Sequence, residues 1–243
     1  FWAISLLLLM MRRQALAGVS TINYLNGVNH FANPSLYGTV MSRDPDSGLQ
    51  RIILDTARQL LTTVGYAQLS MRKIANKIGY SATSIYLYYG NKDELVHALI
   101  DEGVDLLYEE LKAANEKSKD PLERLRDMCV AYIRFGLDRP EYYEIMYVLH
   151  PEYITRYPAE KYRKARRNLE MMASAITDGV IGGKFESTDP VLSANMAWAQ
   201  LHGGVTLLSS ERVDKRFSED TLIRASCSQI IRSLLVNPKS VEV

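Results

Sequence analysis

The chain has 243 residues and nearly balanced charge, with 29 lysines and arginines against 28 aspartates and glutamates. Its 47% hydrophobic content is enough to build a core, which excludes an intrinsically disordered chain. The two cysteines, Cys129 and Cys227, are too few for a disulfide framework. No run of about 18 apolar residues is present to span a membrane. We therefore predict a cytoplasmic protein with one large domain or two small ones.

The N-terminal segment is the least regular part of the sequence. Trp2–Met11 is a short apolar run like the core of a signal peptide, but Arg12 and Arg13 follow the run instead of preceding it. Met41 is a natural start for a short polar arm. We interpret residues 1–48 as a weakly ordered N-terminal extension, of which residues 1–40 are an upstream extension or the result of a mis-set start. A targeting segment is the alternative interpretation.

Residues 49–95 carry the pattern of three short helices. The first has an apolar stripe at helical spacing, and Gly65 suits its C-terminal end. The second follows the N-cap Ser70 and ends at Gly79, since glycine lacks the Cβ that clashes in the left-handed conformation. The third follows the N-cap Ser81. The inward residues are Ile53, Ala57, Leu60 and Val64 in the first helix, Met71, Ile74, Ala75 and Ile78 in the second, and Ile85 and Tyr89 in the third.

Two short helices joined by a turn that contains glycine are typical of a helix-turn-helix DNA reader. Between Leu49 and Leu95, six cations stand against three anions, and a local excess of this kind attracts phosphate. A solvated face of an ordinary helical bundle would also produce so small an excess. The helical pattern predicts binding to double-stranded DNA, whereas charge alone leaves both interpretations open.

Residues 50–96 resemble the DNA-binding domain of the TetR-type transcriptional repressor family. Ile78–Tyr89 is similar to the turn and recognition helix of the family, and Asn91–Leu95 is similar to the start of the helix that follows. The sequence departs from the family at three positions, Thr83, Leu87 and Tyr89. The family often has glycine at the first, arginine or histidine near the second, and phenylalanine at the third. These departures concern which operator bases are read, and the resemblance implies a helix-turn-helix fold.

The resemblance also implies roles for the side chains around the turn. No side chain from Ser81 to Tyr89 is charged, so base readout would depend on hydroxyls, thymine methyl groups and DNA shape. Tyr86 and Lys92 match family positions that contact phosphate, and packing of Tyr86 in the core is the alternative. The candidate DNA contacts are Ser70, Arg72, Lys73, Ser81, Ala82, Thr83, Ser84, Tyr86, Leu87, Tyr88 and Lys92.

Beyond residue 91 the sequence predicts one helix after another. Asn91, Asp120, Asp189 and Ser218 are suitable N-caps, and no strand alternation interrupts the helical pattern. We predict an all-α fold, with a helix-turn-helix DNA-binding domain at residues 49–95 and a helical regulatory bundle at residues 96–237.

Residues 96–237 resemble a C-terminal subtype of the same family that is named for a Trp-His-Gly pattern, here Trp198, His202 and Gly203. The resemblance implies a bundle that binds a small-molecule effector and dimerises, and it does not identify the effector. A pocket between helices would be lined by aromatic, sulfur-containing and polar side chains. Simple core packing of the same residues is the alternative. The candidate pocket residues are Tyr132, Phe135, Tyr142, Tyr143, Met146, Met172, Trp198 and His202.

Two apolar stripes near the C-terminus suit self-association. One stripe comprises Ile223, Cys227, Ile230 and Leu234, and the other comprises Val191, Ala194, Trp198, Leu201 and Val205. Together with the family resemblance, they predict a homodimer with a four-helix interface. Two-fold symmetry would space the recognition helices by about 34 Å and would require a near-palindromic operator.

An enzyme or a helical interaction module without DNA binding is the alternative class of function. None of the four histidines has the spacing of a metal motif such as His-Glu-x-x-His. Gly179–Phe185 fails as a phosphate loop, because Phe185 stands where a hydroxyl is required. We predict no enzyme activity, no cofactor and no metal. The expected mechanism is a repressor that an effector releases from DNA, with the helix that begins at Lys92 as the lever, and activation is the alternative.

Overall fold

The computed structural model describes residues 47–149 and 159–236. The chain divides into two compact units between residues 50 and 51, so all described residues except 47–50 belong to the second unit. The prediction for residues 1–46 lies outside the described residues. In the described part, every helix is too short or too polar to traverse a lipid bilayer.

The described residues form nine α-helices. Their bounds are α1 Ser47–Gln68, α2 Met71–Ile78, α3 Ala82–Tyr86, α4 Lys92–Asn115, α5 Pro121–Asp138, α6 Pro140–Tyr147, α7 Ala159–Ile181, α8 Pro190–Ser209 and α9 Glu219–Leu234. Within the same residues, β-structure is limited to an isolated bridge between Phe185 and Leu235. The prediction of an all-α fold is confirmed.

Side-chain caps fix where these helices begin. Ser70 accepts a hydrogen bond from the backbone N–H of Lys73 at 3.2 Å, and Asn91 accepts one from Glu94 at 2.9 Å. The Glu94 carboxylate in turn accepts the N–H of Gly90 at 2.9 Å. The caps predicted for α5, α8 and α9 are also present, at Asp120, Asp189 and Ser218. Each cap satisfies a backbone donor that the helix leaves free and stabilises the fold by about 1 kcal/mol.

Helix α1 breaks at Gly65, where the backbone has φ 75° and ψ 168°. This conformation favours glycine, which confirms the predicted stop. The inward stripe of α1 is Ile53, Ala57 and Leu61, which are 0%, 0% and 4% exposed. The prediction that Val64 lies inward is wrong: it is 41% exposed, because the helical path ends beside it.

Helix α5 occupies the centre of the C-terminal helical bundle, where it contacts α4, α6, α7, α8 and α9. Gly136 allows two of these helices to come close. A Cβ at this position would lie 2.5 Å from Cγ1 of Val205 on α8 and 3.0 Å from Cδ2 of Tyr143 on α6. Since packed side chains cannot approach so closely, α6 and α8 reach their positions because residue 136 has no side chain.

The two C-terminal stripes predicted to form a dimer interface mostly face the interior of the chain. The buried residues are Ile223, Cys227, Ile230 and Leu234 of α9 and Ala194, Leu201 and Val205 of α8. Their assignment to the interface is wrong, because an apolar stripe indicates burial but not what covers it, and here α5 is among the covering helices. A different face of α8 is open: Leu192, Met196 and Leu207 are 54%, 55% and 48% exposed.

Candidate nucleic-acid interface and effector site

A tight turn at Gly79 joins α2 to α3. Gly79 lies in the left-handed region with φ 75° and ψ 26°, and the N–H of Tyr80 donates to the carbonyl of Ala75 at 3.0 Å. This is the pattern of a Schellman C-cap. Ser81 then caps α3 by accepting the N–H of Ser84 at 3.1 Å. Two short helices with this connection have the geometry of a helix-turn-helix unit.

Buried side chains hold α3 in place. The helix has five residues, which is too short to be stable by itself. Ile85 and Tyr89 are 0% and 6% exposed, and Ile74 of α2 is fully buried as well. The predictions that Ile85 and Tyr89 face inward are confirmed. Helix α3 therefore depends on the packing of its inner face, which leaves its outer face available.

The outer face of α3 carries uncharged side chains. Thr83 is exposed, and Tyr86 and Leu87 are 52% and 81% exposed. The alternative that Tyr86 packs in the core is therefore wrong. Ala82 and Ser84 are half-buried, and the Ser84 hydroxyl is hydrogen-bonded to that of Ser81 at 2.9 Å.

Helix α3 is shorter than the sequence pattern indicates. It ends at Tyr86, beyond which the N–H of Tyr88 donates to the carbonyl of Ile85 at 3.0 Å, an i→i−3 bond that is typical of a tightened last turn. The N–H of Tyr89 donates to the same carbonyl at 3.1 Å. Leu87 is thus the C-cap, and half-buried Tyr88 lies in the following turn. These two candidate contacts remain beside the outer face, but on a turn instead of on a helix.

The candidate cations differ in accessibility. Arg72 and Lys73 are exposed in the first turn of α2. Lys92 is half-buried: its ammonium donates to the carbonyl of Tyr66 at 3.1 Å and lies 3.8 Å from the centroid of that ring. The Tyr66 hydroxyl is also hydrogen-bonded to Asp93, and its pKa is raised by burial and by this carboxylate. Lys92 therefore fastens the end of α1 to the start of α4, so Arg72 and Lys73 are better placed to meet phosphate.

Five side chains from α5, α6 and α8 form an aromatic cluster: Tyr132, Tyr143, Tyr147, Trp198 and His202. The Tyr143 hydroxyl is hydrogen-bonded to Nδ1 of His202 at 2.5 Å, and the two rings stack with centroids 5.3 Å apart. Tyr147 packs on both Trp198 and His202, with centroid distances of 6.1 Å and 5.3 Å. Sequence reasoning missed Tyr147, although it follows Tyr143 by four residues and so shares its helical face.

The cluster unites four of the eight predicted pocket residues, namely Tyr132, Tyr143, Trp198 and His202. Tyr142 and Met146 lie on another face of α6, against α4: a Cβ at Gly103 would lie 3.2 Å from Cδ1 of Tyr142 and 2.6 Å from Sδ of Met146. Phe135 and Met172 are buried in the general core. Consecutive residues of a helix point about 100° apart, so Tyr142 faces α4 whereas Tyr143 faces α8.

The aromatic cluster is electrically neutral near pH 7. Burial lowers the pKa of His202 below its ordinary value, so its imidazole is uncharged. Burial raises the pKa of Tyr147 to about 12 and that of Tyr143 further, which keeps both phenols protonated. The Tyr132 hydroxyl is fully buried and makes no hydrogen bond of good geometry, although Tyr143 and Tyr147 are close enough to raise its pKa, after burial itself. An unsatisfied buried hydroxyl is destabilising unless another molecule supplies its partner.

A cleft of about 380 Å³ lies at the junction of α1 with the corner between α5 and α6. It is lined by Arg58, Asp138, Arg139, Pro140, Glu141 and Tyr142, so Tyr142 is the predicted pocket residue that it includes. In the two described ranges, no three His, Cys, Asp or Glu side chains are grouped as a metal site would require.

Two family models match this chain. Residues 53–99 match the model described as bacterial regulatory proteins of the tetR family, and residues 125–234 match a tetracyclin repressor-like C-terminal domain. Neither description mentions the Trp-His-Gly subtype, which stays a prediction. An uncharacterized HTH-type transcriptional regulator of Haemophilus influenzae is 30% identical over 86 residues. That match covers 35% of this chain and 46% of the length of the relative.

Solved structures have the same fold. A protein of unknown function from Rhodococcus sp. RHA1 superposes with a TM-score of 0.69 at 22% identity, over 84% of this chain and 100% of the other. A regulatory protein of the tetR family from Rhodococcus RHA1 gives a TM-score of 0.64 at 20% identity, over 79% and 100% of the two chains. At these identities the structural likeness concerns the fold alone.

Proposed function

Because this chain belongs to the tetR family of bacterial regulatory proteins, we propose that it is a transcriptional regulator that binds double-stranded DNA through α2 and α3. The observation that carries the proposal is the capped helix-turn-helix unit, with its uncharged outer face beside exposed Arg72 and Lys73. Residues 49–95 would form the DNA-reading segment and residues 96–237 the regulatory part. Helix α4 runs without interruption across that division.

In this proposal α3 enters the major groove. Thr83 offers a hydroxyl to base edges, and Leu87 offers apolar contact to thymine methyl groups. Tyr86, Arg72 and Lys73 border the same surface and would contact phosphates, which fix the register of the protein on the duplex. Because α3 carries no cation, readout of guanine by an arginine of α3 plays no part in this proposal.

A homodimer would present two such readers to a near-palindromic operator. The outer face of α8, defined by Leu192, Met196, Gly203 and Leu207, is the surface that supports this assembly. Its three large side chains are about half exposed, and a Cβ at Gly203 would meet no atom within 4 Å. A second copy of α8 could therefore approach closely and cover apolar surface that one chain leaves open.

We place the effector at the aromatic cluster and propose that the protein is a repressor that acts in the cytoplasm, where its operator would lie. An uncharged, largely apolar small molecule with a hydrogen-bond acceptor would suit the cluster, because the surrounding groups are neutral and the Tyr132 hydroxyl lacks a partner. Such a molecule would release DNA only if it binds the two conformations with different affinities.

Selection of genomic fragments by the purified protein, followed by anisotropy titrations over a range of salt concentrations, tests DNA binding. We expect Arg72→Ala and Lys73→Ala each to weaken binding and to reduce the salt slope by about 1. Lys112→Ala removes an exposed cation near the end of α4 and serves as the control. Failure to retain any duplex at low salt would contradict the proposal and favour the interaction module without DNA binding.

Sedimentation of Met196→Glu tests the dimer. A carboxylate at the centre of the outer face of α8 should produce monomers, since a charge cannot be buried there without a partner. Ser174→Glu, at an exposed position of α7, should leave the oligomeric state of the wild type unchanged. A wild-type protein that sediments as a monomer would refute the interface.

A further inference from the structure

We propose that Cys129 of α5 and Cys227 of α9 form a site of reversible oxidation, at which a peroxide joins the two thiols in a disulfide that stabilises the helical bundle. The inference goes beyond the proposed function and does not rest on it. Neither cysteine belongs to the DNA-reading segment, to the aromatic cluster or to the outer face of α8.

The two cysteines of this chain lie against each other. They are its only cysteines, and they come from helices that are far apart in the sequence. Helices α5 and α9 pack together, and the two thiols are hydrogen-bonded to each other. A disulfide requires two nearby backbones and side chains that point at each other. The packed helices meet the first requirement, and the contact between the thiols meets the second.

The surroundings of the pair make Cys227 the more reactive thiol. The hydrogen bond from Cys129 lowers the pKa of Cys227, burial opposes this change, and the guanidinium of Arg126 on α5 adds to the lowering. The pKa of Cys129 is raised by the same hydrogen bond and by burial. Because the thiolate is the nucleophile, Cys227 reacts first with a peroxide while Cys129 stays a thiol.

The reaction has two steps. The Cys227 thiolate attacks one oxygen of hydrogen peroxide, the O–O bond breaks and hydroxide leaves, which gives the sulfenic acid of Cys227. The Cys129 sulfur then attacks the Cys227 sulfur, so that an S–S bond forms and the S–O bond breaks. The hydroxyl group leaves with the Cys129 proton as water, and the first hydroxide takes up the proton that Cys227 had released. The two thiols are oxidised by two electrons, and the peroxide is reduced to two molecules of water.

Apolar surroundings favour the disulfide over further oxidation. Cys129 and Cys227 are 0% and 2% exposed, and Ile133, Ile223 and Ile230 belong to the same buried cluster. A sulfinic acid would place a negative charge among these side chains, which is unfavourable without a partner, whereas a disulfide is uncharged. The Cys129 thiol is also in contact with Cys227 when the sulfenic acid forms, so condensation precedes a second attack by peroxide.

Peroxide reaches the buried pair when α9 opens locally. One face of this helix, which includes Arg224 and Ala225, is exposed, so the rest of the chain covers α9 on one side. Hydrogen peroxide is small and uncharged, and a partial opening of one helix is enough to admit it. We therefore expect slow formation of the sulfenic acid and rapid closure of the disulfide.

The first experiment treats the folded full chain with hydrogen peroxide, removes the oxidant, and counts free thiols after unfolding in an alkylating reagent. We expect both thiols to be lost and to be recovered with dithiothreitol. Peptide mapping should join Cys129 to Cys227 in a chain that still migrates as a monomer on a non-reducing denaturing gel. Two free thiols, links between different chains, or a loss that dithiothreitol does not reverse would overturn the inference.

Single variants test the order of the two steps. In Cys129→Ser the sulfenic acid of Cys227 has no thiol to condense with, so dimedone should label it. In Cys227→Ser the label on Cys129 should be at least about ten-fold weaker, because burial keeps that thiol protonated. Cys129→Ala and Cys227→Ala repeat the measurement without a hydroxyl in the core. Equal labelling in both pairs of variants would overturn the assignment of Cys227 as the first thiol to react.

The melting temperature shows whether the disulfide fits the fold. The bond closes a loop of about 100 residues, and its restraint on the unfolded chain should raise the melting temperature by about 5–10 °C. Peroxide also oxidises methionine, of which the chain has nine, so the double variant Cys129→Ala/Cys227→Ala is treated in parallel as the control. An oxidised wild type that gains nothing relative to this control would overturn the inference. A wild type that binds no DNA would refute the proposed function and leave these outcomes unchanged.

Discussion

The DNA-reading segment and the aromatic cluster use side chains in opposite ways. The reading segment keeps its packing residues inside and its candidate contacts outside, as Ile85 and Leu87 do at 0% and 81% exposure. The cluster buries the polar groups that would recognise an effector, among them the unsatisfied hydroxyl of Tyr132. Stability and recognition are therefore separable in the first region, whereas in the second they depend on the same atoms.

The largest expected effect tests whether stability and DNA recognition depend on different residues in the DNA-reading segment. Ile85→Ala should lower the free energy of unfolding by about 2–5 kcal/mol, because it leaves a cavity beneath α3. Leu87→Ala, two residues later and exposed, should change it by no more than about 0.5 kcal/mol. In binding assays Leu87→Ala should still weaken DNA affinity. Urea unfolding followed by circular dichroism measures the difference, and equal destabilisation by both substitutions would contradict it.

Within the aromatic cluster, substitution of tyrosine by phenylalanine should change the free energy of unfolding in opposite directions at two positions. Tyr132→Phe removes an unsatisfied buried hydroxyl and should raise the free energy of unfolding by about 1 kcal/mol. Tyr143→Phe removes the hydrogen bond to His202 and should lower it by about 1 kcal/mol. Thermal and urea unfolding of the two variants measure both values. Destabilisation by Tyr132→Phe would show that the hydroxyl has a partner.

Removal of a helix cap should change the free energy of unfolding by a similar amount, through the loss of one local hydrogen bond. Ser70→Ala should lower the free energy of unfolding by about 1 kcal/mol, since the N–H of Lys73 loses its acceptor. Ser174→Ala, at an exposed position within α7, is the matched control and should be neutral or slightly stabilising. Equal losses in the two variants would mean that the Ser70 bond contributes nothing.

The smallest expected effect is the pH dependence contributed by His202. Its pKa in the folded protein lies below the ordinary value of 6.5 because of burial, so the unfolded chain binds more protons between the two pKa values. This contribution to stability is complete above pH 6.5 and is lost as the pH falls through the pKa of the folded state. His202→Gln should flatten the decline in melting temperature below about pH 6.5. An identical profile in wild type and variant would contradict this assignment.

Local sequence was sufficient to predict where helices begin and where the turn of the helix-turn-helix unit lies. Ser70, Gly79 and Ser81 act through hydrogen bonds and backbone angles within a few residues, and all three were predicted correctly. Fold class followed from the same signals repeated along the chain.

The sequence could not determine which helical face meets which partner. Tyr143 and His202 are 59 positions apart, and nothing near Tyr142 distinguishes it from Tyr143 as a neighbour of α4. Lys92 matched a phosphate-binding position, yet its ammonium lies on Tyr66, which is 26 positions away. The buried stripe of α9 was wrongly predicted to form a dimer interface for the same reason. An apolar periodicity indicates that one face of a helix is buried, but it does not indicate which element buries that face.

Because Gly136 has no side chain, the addition of a single carbon atom at this position would change how the helices of the bundle pack. A methyl group there would strike Cγ1 of Val205, which has little freedom to rotate away, and would press on Tyr143. Gly136→Ala would therefore push apart the helices that bear the aromatic cluster. If the protein is the effector-released repressor proposed above, this displacement would act in place of an effector. In a strain that carries this allele, the genes under the proposed repression would be expressed without an effector, and its transcripts would identify those genes.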